Sequence, residues 1–275
     1  RRLKRKPQVF LSPVGDHYRT RLTHTLEVSQ IARTISRCLG LNEDLTEAAA
    51  LGHDLGHSPF GHCGESVLNE ICPHGFKHYL QSVRVAERLE KDGKGLNLTA
   101  AVLDGIRCHT NMTAATREGC VVRLADTIAY INHDIEDSVR AGVLSAEQLP
   151  ADCVEILGDT KTKRITSLIA SVVAHGAETI DFEPEIRAAH DSLRSFMFRT
   201  VYTNPAAKQE EGKAELLIRK LYAYFRENSR LLPRLYLEIA NESDIDQGVC
   251  DYISGMSDEY AVDLYTGLFV PKFWK

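Results

Sequence analysis

From Thr23, read as an N-cap, apolar or ring-bearing residues recur at His24, Val28, Ile31, Ile35 and Cys38. That is the i, i+4, i+7, i+11, i+14 rhythm of one helix face, and Gly40 closes it. Asn42 caps a second helix through Leu45, Ala49 and Leu51, which runs into Gly56, Pro59, Gly61 and Gly64. Residues 56–64 therefore read as a loop. Further helices are expected over 77–91, 98–108, 119–141, 164–175, 184–203, 208–227, 231–240 and 246–255, punctuated by Pro73, Gly75, the 91–95 run, Pro150 and Pro205. No strand alternation of useful length, repeat period or low-complexity linker interrupts them, so the pattern predicts an all-α fold.

The helix over 119–141 carries two stripes. Leu124, Ile128, Ile131, Ile135 and Val139 form an apolar one, while Asp126, Tyr130, Asp134 and Asp137 align on another face. A carboxylate row on a helix is ordinarily a solvated surface. Tyr130 within the row and the histidines upstream shift the reading toward a site.

Composition narrows the class. With 275 residues, 43% hydrophobic and 26% charged, the chain can bury a sizeable core without staples. Disorder, collagen and small disulfide scaffolds are excluded. Apolar runs such as 168–174 fall short of the ~18 residues of a membrane span, and no secretory apolar region shows. The seven cysteines are odd in number and lack a C-x-x-C pair, which points to free thiols and a cytoplasmic location. The first residue is Arg rather than Met, the beginning expected of a fragment or a processed chain. Net charge is −5, yet residues 1–40 hold nine basic and two acidic residues. Such a basic head suits nucleic acid or polyphosphate, or is simply a solvated arm, and the acidic remainder makes a poor non-specific DNA binder.

Five of the eleven histidines, His53, His57, His62, His74 and His78, fall within 53–78. Gathered on a Gly/Pro-rich loop, they bring imidazoles together without apolar burial. The dipeptide His53-Asp54 offers an imidazole and a carboxylate to one ion, although His-Asp recurs at 133–134 and 190–191. Its context is what raises it: a helical His24 before it and a helical Asp126 after it. Two imidazoles and two carboxylates, with no thiolate, make an open mixed site for a divalent cation rather than structural zinc. Such an ion activates water and neutralises anionic oxygens, so phosphate-ester hydrolysis is the natural chemistry.

The series His24, His53-Asp54, Asp126 resembles the H…HD…D signature of the HD-domain metal-dependent phosphohydrolases. The strings RRLKRKPQVF at 1–10, YRTRLTHTLEV at 18–28, HDLGHSPFGHCGE at 53–65, GFKHYLQSVRV at 75–85, GLNLT at 95–99, VVRLADTIAYINHDIED at 121–137 and DYISGMSDEYA at 251–261 resemble one branch, the deoxyguanosinetriphosphate triphosphohydrolase-like proteins. Members usually carry more sequence before the first string. The resemblance implies an HD-domain core over 1–140 holding metal and catalytic residues, and a helical part over 141–275 completing the substrate pocket of one continuous unit. It also implies that His24, His53, Asp54 and Asp126 bind metal, with Mn²⁺ or Mg²⁺ foremost and Fe, Co, Ni or Zn as alternatives. His62 is then the catalytic acid and Glu65 the carboxylate that orients and charges it, while His57 and His78 contact phosphate. Arg21, Tyr130 and Arg194 match triphosphate-contacting positions. Gln8, Val9, Asp134 and Tyr202 match substrate-binding positions; Gln8 and Asp134 would hydrogen-bond the 3′-hydroxyl, and Tyr202 would press on C2′. Where some relatives carry a lysine directly after the last metal-binding Asp, this chain has Thr127, one fixed positive charge fewer.

The implied activity is conversion of a deoxynucleoside triphosphate, dGTP first among them, to deoxynucleoside and inorganic triphosphate. A second enzymatic reading is an HD-type 5′-nucleotidase or phosphomonoesterase. A third, from a different class, is a non-catalytic nucleotide- or nucleic-acid-binding regulator, against which His62 and Glu65 speak. Implied partners are the dNTP, further copies of the chain as a homo-oligomer (a hexamer in many relatives) and nucleic acid as a regulator, with no membrane.

Overall fold

The structure is a computed structural model that describes residues 2–8, 19–201 and 205–272. Among the described residues there are thirteen α-helices and no strand, so the chain is all-α. No helix among them is long and apolar enough to cross a membrane. The described residues group into two compact units interleaved along the sequence: residues 2–8, 54–97 and 208–272 form one, and 19–53, 98–201 and 205–207 the other. Residue 140, the expected passage from core to C-terminal helices, falls inside the second of these.

The second unit begins with α1 (Arg21–Cys38) and α2 (Glu43–Gly52). Thr20, not Thr23, caps α1: its side chain accepts from Thr23 N at 3.4 Å, while Thr23 sends its own hydroxyl back to Thr20 O. The expected face is buried through Val28, Ile31 and Ile35, but Cys38, the last residue of the helix, is exposed. Asn42 caps α2 as expected, accepting from Leu45 N at 3.0 Å.

In the other unit, α3 (Gly61–Ile71) and α4 (His78–Arg84) follow, α4 running into a π-helical turn at Val85–Leu89. The expected loop over 56–64 is therefore too long by one turn, since Gly61 to Gly64 are helical. Glycine serves close approach here rather than irregularity. A Cβ on Gly64 would lie 2.0 Å from the Pro59 carbonyl oxygen, and one on Gly56 2.2 Å from Ser82 N.

Returning to the second unit, α5 (Ala100–Arg107), α6 (Arg117–Arg140), α7 (Ala151–Leu157), α8 (Lys161–His175) and α9 (Pro184–Thr200) complete it. Helix α6 packs on α1, α2, α5, α8 and α9, and so forms the spine of that core. Its apolar stripe is buried at Leu124, Ile128, Ile131 and Ile135 but ends before Val139, which is 38% exposed in the last turn. The second stripe is not solvated either, since Asp134 is only 1% exposed. Helices α10 (Pro205–Glu227), α11 (Arg234–Glu242), α12 (Ile245–Ser254) and α13 (Asp258–Phe269) finish the chain, their buried residues joining Phe60, Leu68 and Phe76 in the core of the first unit.

Candidate active site

In the second unit, α1, the end of α2 and α6 bring His24, His53 and Asp126 together, with one ligand atom from each within 4.8 Å of the others. His24 Nε2 lies 3.0 Å and His53 Nε2 3.8 Å from the same Asp126 oxygen. His53 stands just past the end of α2, where its Nδ1 donates to Ala50 O at 2.6 Å, so the lone pair of Nε2 turns toward Asp126. Burial by itself raises the Asp126 carboxyl, but the hydrogen bond to His24 and the nearby rings of His53 and His109 bring it down to about 2. An ionised carboxylate among imidazoles whose outer nitrogens are already engaged is the donor set of a mixed N/O divalent-cation site.

The outer nitrogen of His24 is engaged by His133, two turns beyond Asp126 on α6. The two Nδ1 atoms are 3.4 Å apart, and His133 Nε2 meets the carboxylate of Glu27. Burial pushes the His133 imidazole down to about 4 against the pull of Glu27. Glu27 also accepts from Arg19 Nε at 2.8 Å and from Lys161 Nζ at 3.1 Å; despite burial, its interactions with His133 and Arg19 hold its carboxyl well below the usual range. Residue type does not single out His133, because His-Asp also occurs at 53–54 and 190–191. Helical arithmetic carried the signal, since Asp126 and His133 share a face at i, i+7, as His24 and Glu27 do at i, i+3. His109 was missed as well; it is buried, donates from Nδ1 to Ile106 O at 2.7 Å and packs edge-on against His53, 5.0 Å between ring centroids.

Asp54, the residue after His53 in the chain, belongs to the first unit. Asp54 Oδ1 lies 3.1 Å from His57 Nε2. The His57 ring stacks on His78 at 4.1 Å, and His78 Nδ1 donates to Glu65 Oε2 at 2.7 Å while its backbone N–H donates to Glu65 Oε1. His62 is the looser partner of Glu65, with Nδ1 3.9 Å from Oε2 and the side chain 72% exposed. Burial opposes ionisation of Glu65, yet His62, His78 and His57 together hold its carboxyl far below the ordinary range. The expected unburied histidine loop is thus corrected: His53, His57 and His78 are buried, and His62 stands on the first turn of α3. Lys6 fastens this region, its Nζ donating to the carbonyls of His57 and Ser254.

The remaining expected residues divide. Arg21, Tyr130 and Asp134 are neighbours in the second unit; burial raises both the Asp134 carboxyl and the Tyr130 hydroxyl well above their usual values, while the Arg21 charge lowers both. Arg194 is exposed on α9, where its charge acts on His190. Thr127 donates its hydroxyl to Arg123 O at 3.0 Å, closing it onto its own helix. Gln8 is buried in the first unit, and its Oε1 accepts no hydrogen bond among the described residues. Val9 and Tyr202 lie outside the described residues.

Residues 21–131 match the HD domain family, which defines the class, and residues 180–267 match the phosphohydrolase-associated domain. The chain is 52% identical to a deoxyguanosinetriphosphate triphosphohydrolase-like protein of Caldanaerobacter subterraneus, covering 100% of this chain and 82% of the relative. Proteins of the same description from Clostridium perfringens, 50% identical over 99% of this chain and 83% of the relative, and Clostridium tetani, 48% identical over 99% and 82%, match similarly. The chain belongs to the family of deoxyguanosinetriphosphate triphosphohydrolase-like proteins. Its HD domain and histidine–aspartate cluster mark a metal-dependent phosphohydrolase acting on nucleotides.

Proposed function

We propose that the protein hydrolyses deoxynucleoside triphosphates, dGTP among them, to deoxynucleoside and inorganic triphosphate. The observation that carries this reading is the convergence of His24, His53 and Asp126 on one point, with the tautomer of His53 fixed by Ala50 O. Asp54, next in the chain, completes the ligand set in this reading. Mn²⁺ or Mg²⁺ held there polarises water and neutralises phosphoryl oxygens.

In the reaction, oxygen from water bonds to the α-phosphorus, the bond to the 5′-oxygen breaks, and that oxygen takes a proton as the deoxynucleoside leaves. His62 is the donor: it is the exposed imidazole of its cluster, with the carboxylate of Glu65 beside it. Glu65 serves two imidazoles, binding His78 tightly and His62 loosely, so it also fixes the stacked His57–His78 pair as a ready contact for phosphate. Arg21, Tyr130 and Arg194 take further triphosphate oxygens. With Thr127 in place of a lysine, this load rests more heavily on Arg21. Gln8, Val9, Asp134 and Tyr202 receive the deoxyribose, and the Gln8 Oε1, which accepts no hydrogen bond among the described residues, suits a sugar hydroxyl.

The test is incubation with each dNTP and NTP in Mn²⁺ or Mg²⁺, followed by anion-exchange separation. Inorganic triphosphate from dNTPs supports the reading, whereas orthophosphate released from nucleoside monophosphates moves it to the phosphomonoesterase class.

A further inference from the structure

A metal-binding imidazole needs its lone pair on the coordinating nitrogen, so its proton sits on the other one. For His24 to turn Nε2 toward Asp126 and a cation, its proton must be on Nδ1, and that N–H points at Nδ1 of His133, 3.4 Å away. Two donors cannot share this contact. His133 accepts only when its own proton is on Nε2, the nitrogen that faces the carboxylate of Glu27. Glu27 is in turn an obligatory acceptor, tied down by Arg19 Nε and Nη2 at 2.8 and 2.9 Å and by Lys161 Nζ at 3.1 Å. Each link dictates the next, so the Glu27 carboxylate selects the tautomer of a ring two contacts away. His53 reaches the same state in one step, through Ala50 O.

We infer that Glu27 and His133 form a positioning relay that holds His24 in the Nδ1–H tautomer and thereby sets the affinity of the His24–His53–Asp126 trio for a divalent cation. This rests on the reading of that trio as a cation site. His133 and Glu27 are positioning residues: they act through His24. Glu27 and His133 come from α1 and α6, the pair of helices that also supplies His24 and Asp126, so cation affinity is tied to how these two helices pack.

The experiment measures Mn²⁺ binding to the full chain by the electron paramagnetic resonance signal of free Mn²⁺, together with thermal unfolding of each metal-free protein. His133→Leu removes both links and should weaken Mn²⁺ binding about 10–100-fold, the usual effect of losing a group behind a metal ligand. His133→Asn places an amide oxygen near the position of Nδ1 and should recover most of that affinity. A His133→Leu protein that binds Mn²⁺ as tightly as wild type overturns the inference, and so does a loss that His133→Asn leaves unrepaired, which marks mere packing. If the leucine variant does not fold, histidine ¹⁵N chemical shifts of the wild-type protein decide: a proton on Nε2 of His133 supports the relay and one on Nδ1 overturns it. Wild-type protein that binds no Mn²⁺ overturns the cation reading itself, a failure distinguishable from that of the relay.

Discussion

Glu65 Oε2 lies 2.7 Å from Nδ1 of His78 and 3.9 Å from Nδ1 of His62, so one carboxylate serves a buried imidazole and an exposed one. The geometry separates two duties that sequence spacing assigns to a single His62–Glu65 pair. His62→Ala should lower kcat by about 10²–10⁴-fold, the range for a lost general acid, with Mn²⁺ binding retained. Glu65→Gln should lower kcat and raise KM together, because it also releases His78. Steady-state kinetics on both variants check this, and unchanged KM in Glu65→Gln contradicts the double duty.

His53→Ala should abolish metal binding. It removes one of three converging donors and leaves Asp126 without one of the rings that keep it ionised. Metal analysis after dialysis reads this directly, and full occupancy would place the site elsewhere.

The Glu65 carboxyl also predicts a pH dependence. Its pKa in the folded chain lies below the ordinary value of about 4.3, so the unfolded chain binds a proton there before the folded one does. The stabilisation is present above that ordinary value and is lost as pH falls through the folded one. The stability gap between wild type and Glu65→Gln should therefore be widest above about pH 5 and shrink below about pH 4. Urea unfolding at several pH values measures it.

Gly64→Ala tests the close approach behind α3. A Cβ 2.0 Å from the Pro59 carbonyl forces backbone to move, and overpacking of this kind costs about 1–3 kcal/mol. A denaturation midpoint unchanged by the substitution contradicts it.

The proposed function gives sugar discrimination to Gln8, Asp134 and Tyr202. Burying an unpaired 2′-hydroxyl costs about 1–3 kcal/mol, or roughly one to two decades of preference. Tyr202→Ala should raise the NTP-to-dNTP rate ratio more than it lowers dNTP turnover. Equal hydrolysis of GTP and dGTP by the wild-type protein removes the assignment.

Much of this was legible where burial follows helical period. The α1 face at Val28, Ile31 and Ile35 and the α6 stripe from Leu124 to Ile135 are fixed by apolar spacing alone. Thr20 and Thr23 are equally good caps by residue type, and only the extra turn that begins at Arg21 separates them. Gly61 and Gly64 read as loop because glycine signals irregular backbone, whereas Gly64 is demanded by a carbonyl from Pro59 that no local pattern reveals. Helix α13 carries a visible cap, with Ser257 accepting from Tyr260 N, but buries only Ala261 and so shows no stripe. The candidate ligands His24, His53 and Asp126, which the fold brings together, are readable from residue type and order. The link from His24 through His133 to Glu27 is not, because it depends on which faces of α1 and α6 meet.

The most direct test of the central claim is hydrolysis of dGTP by the wild-type protein with Mn²⁺ in ¹⁸O-enriched water, with both products analysed by mass spectrometry. Attack at the α-phosphorus predicts inorganic triphosphate carrying a single ¹⁸O and an unlabelled deoxynucleoside. Label in orthophosphate or pyrophosphate, or in the deoxynucleoside, would contradict it.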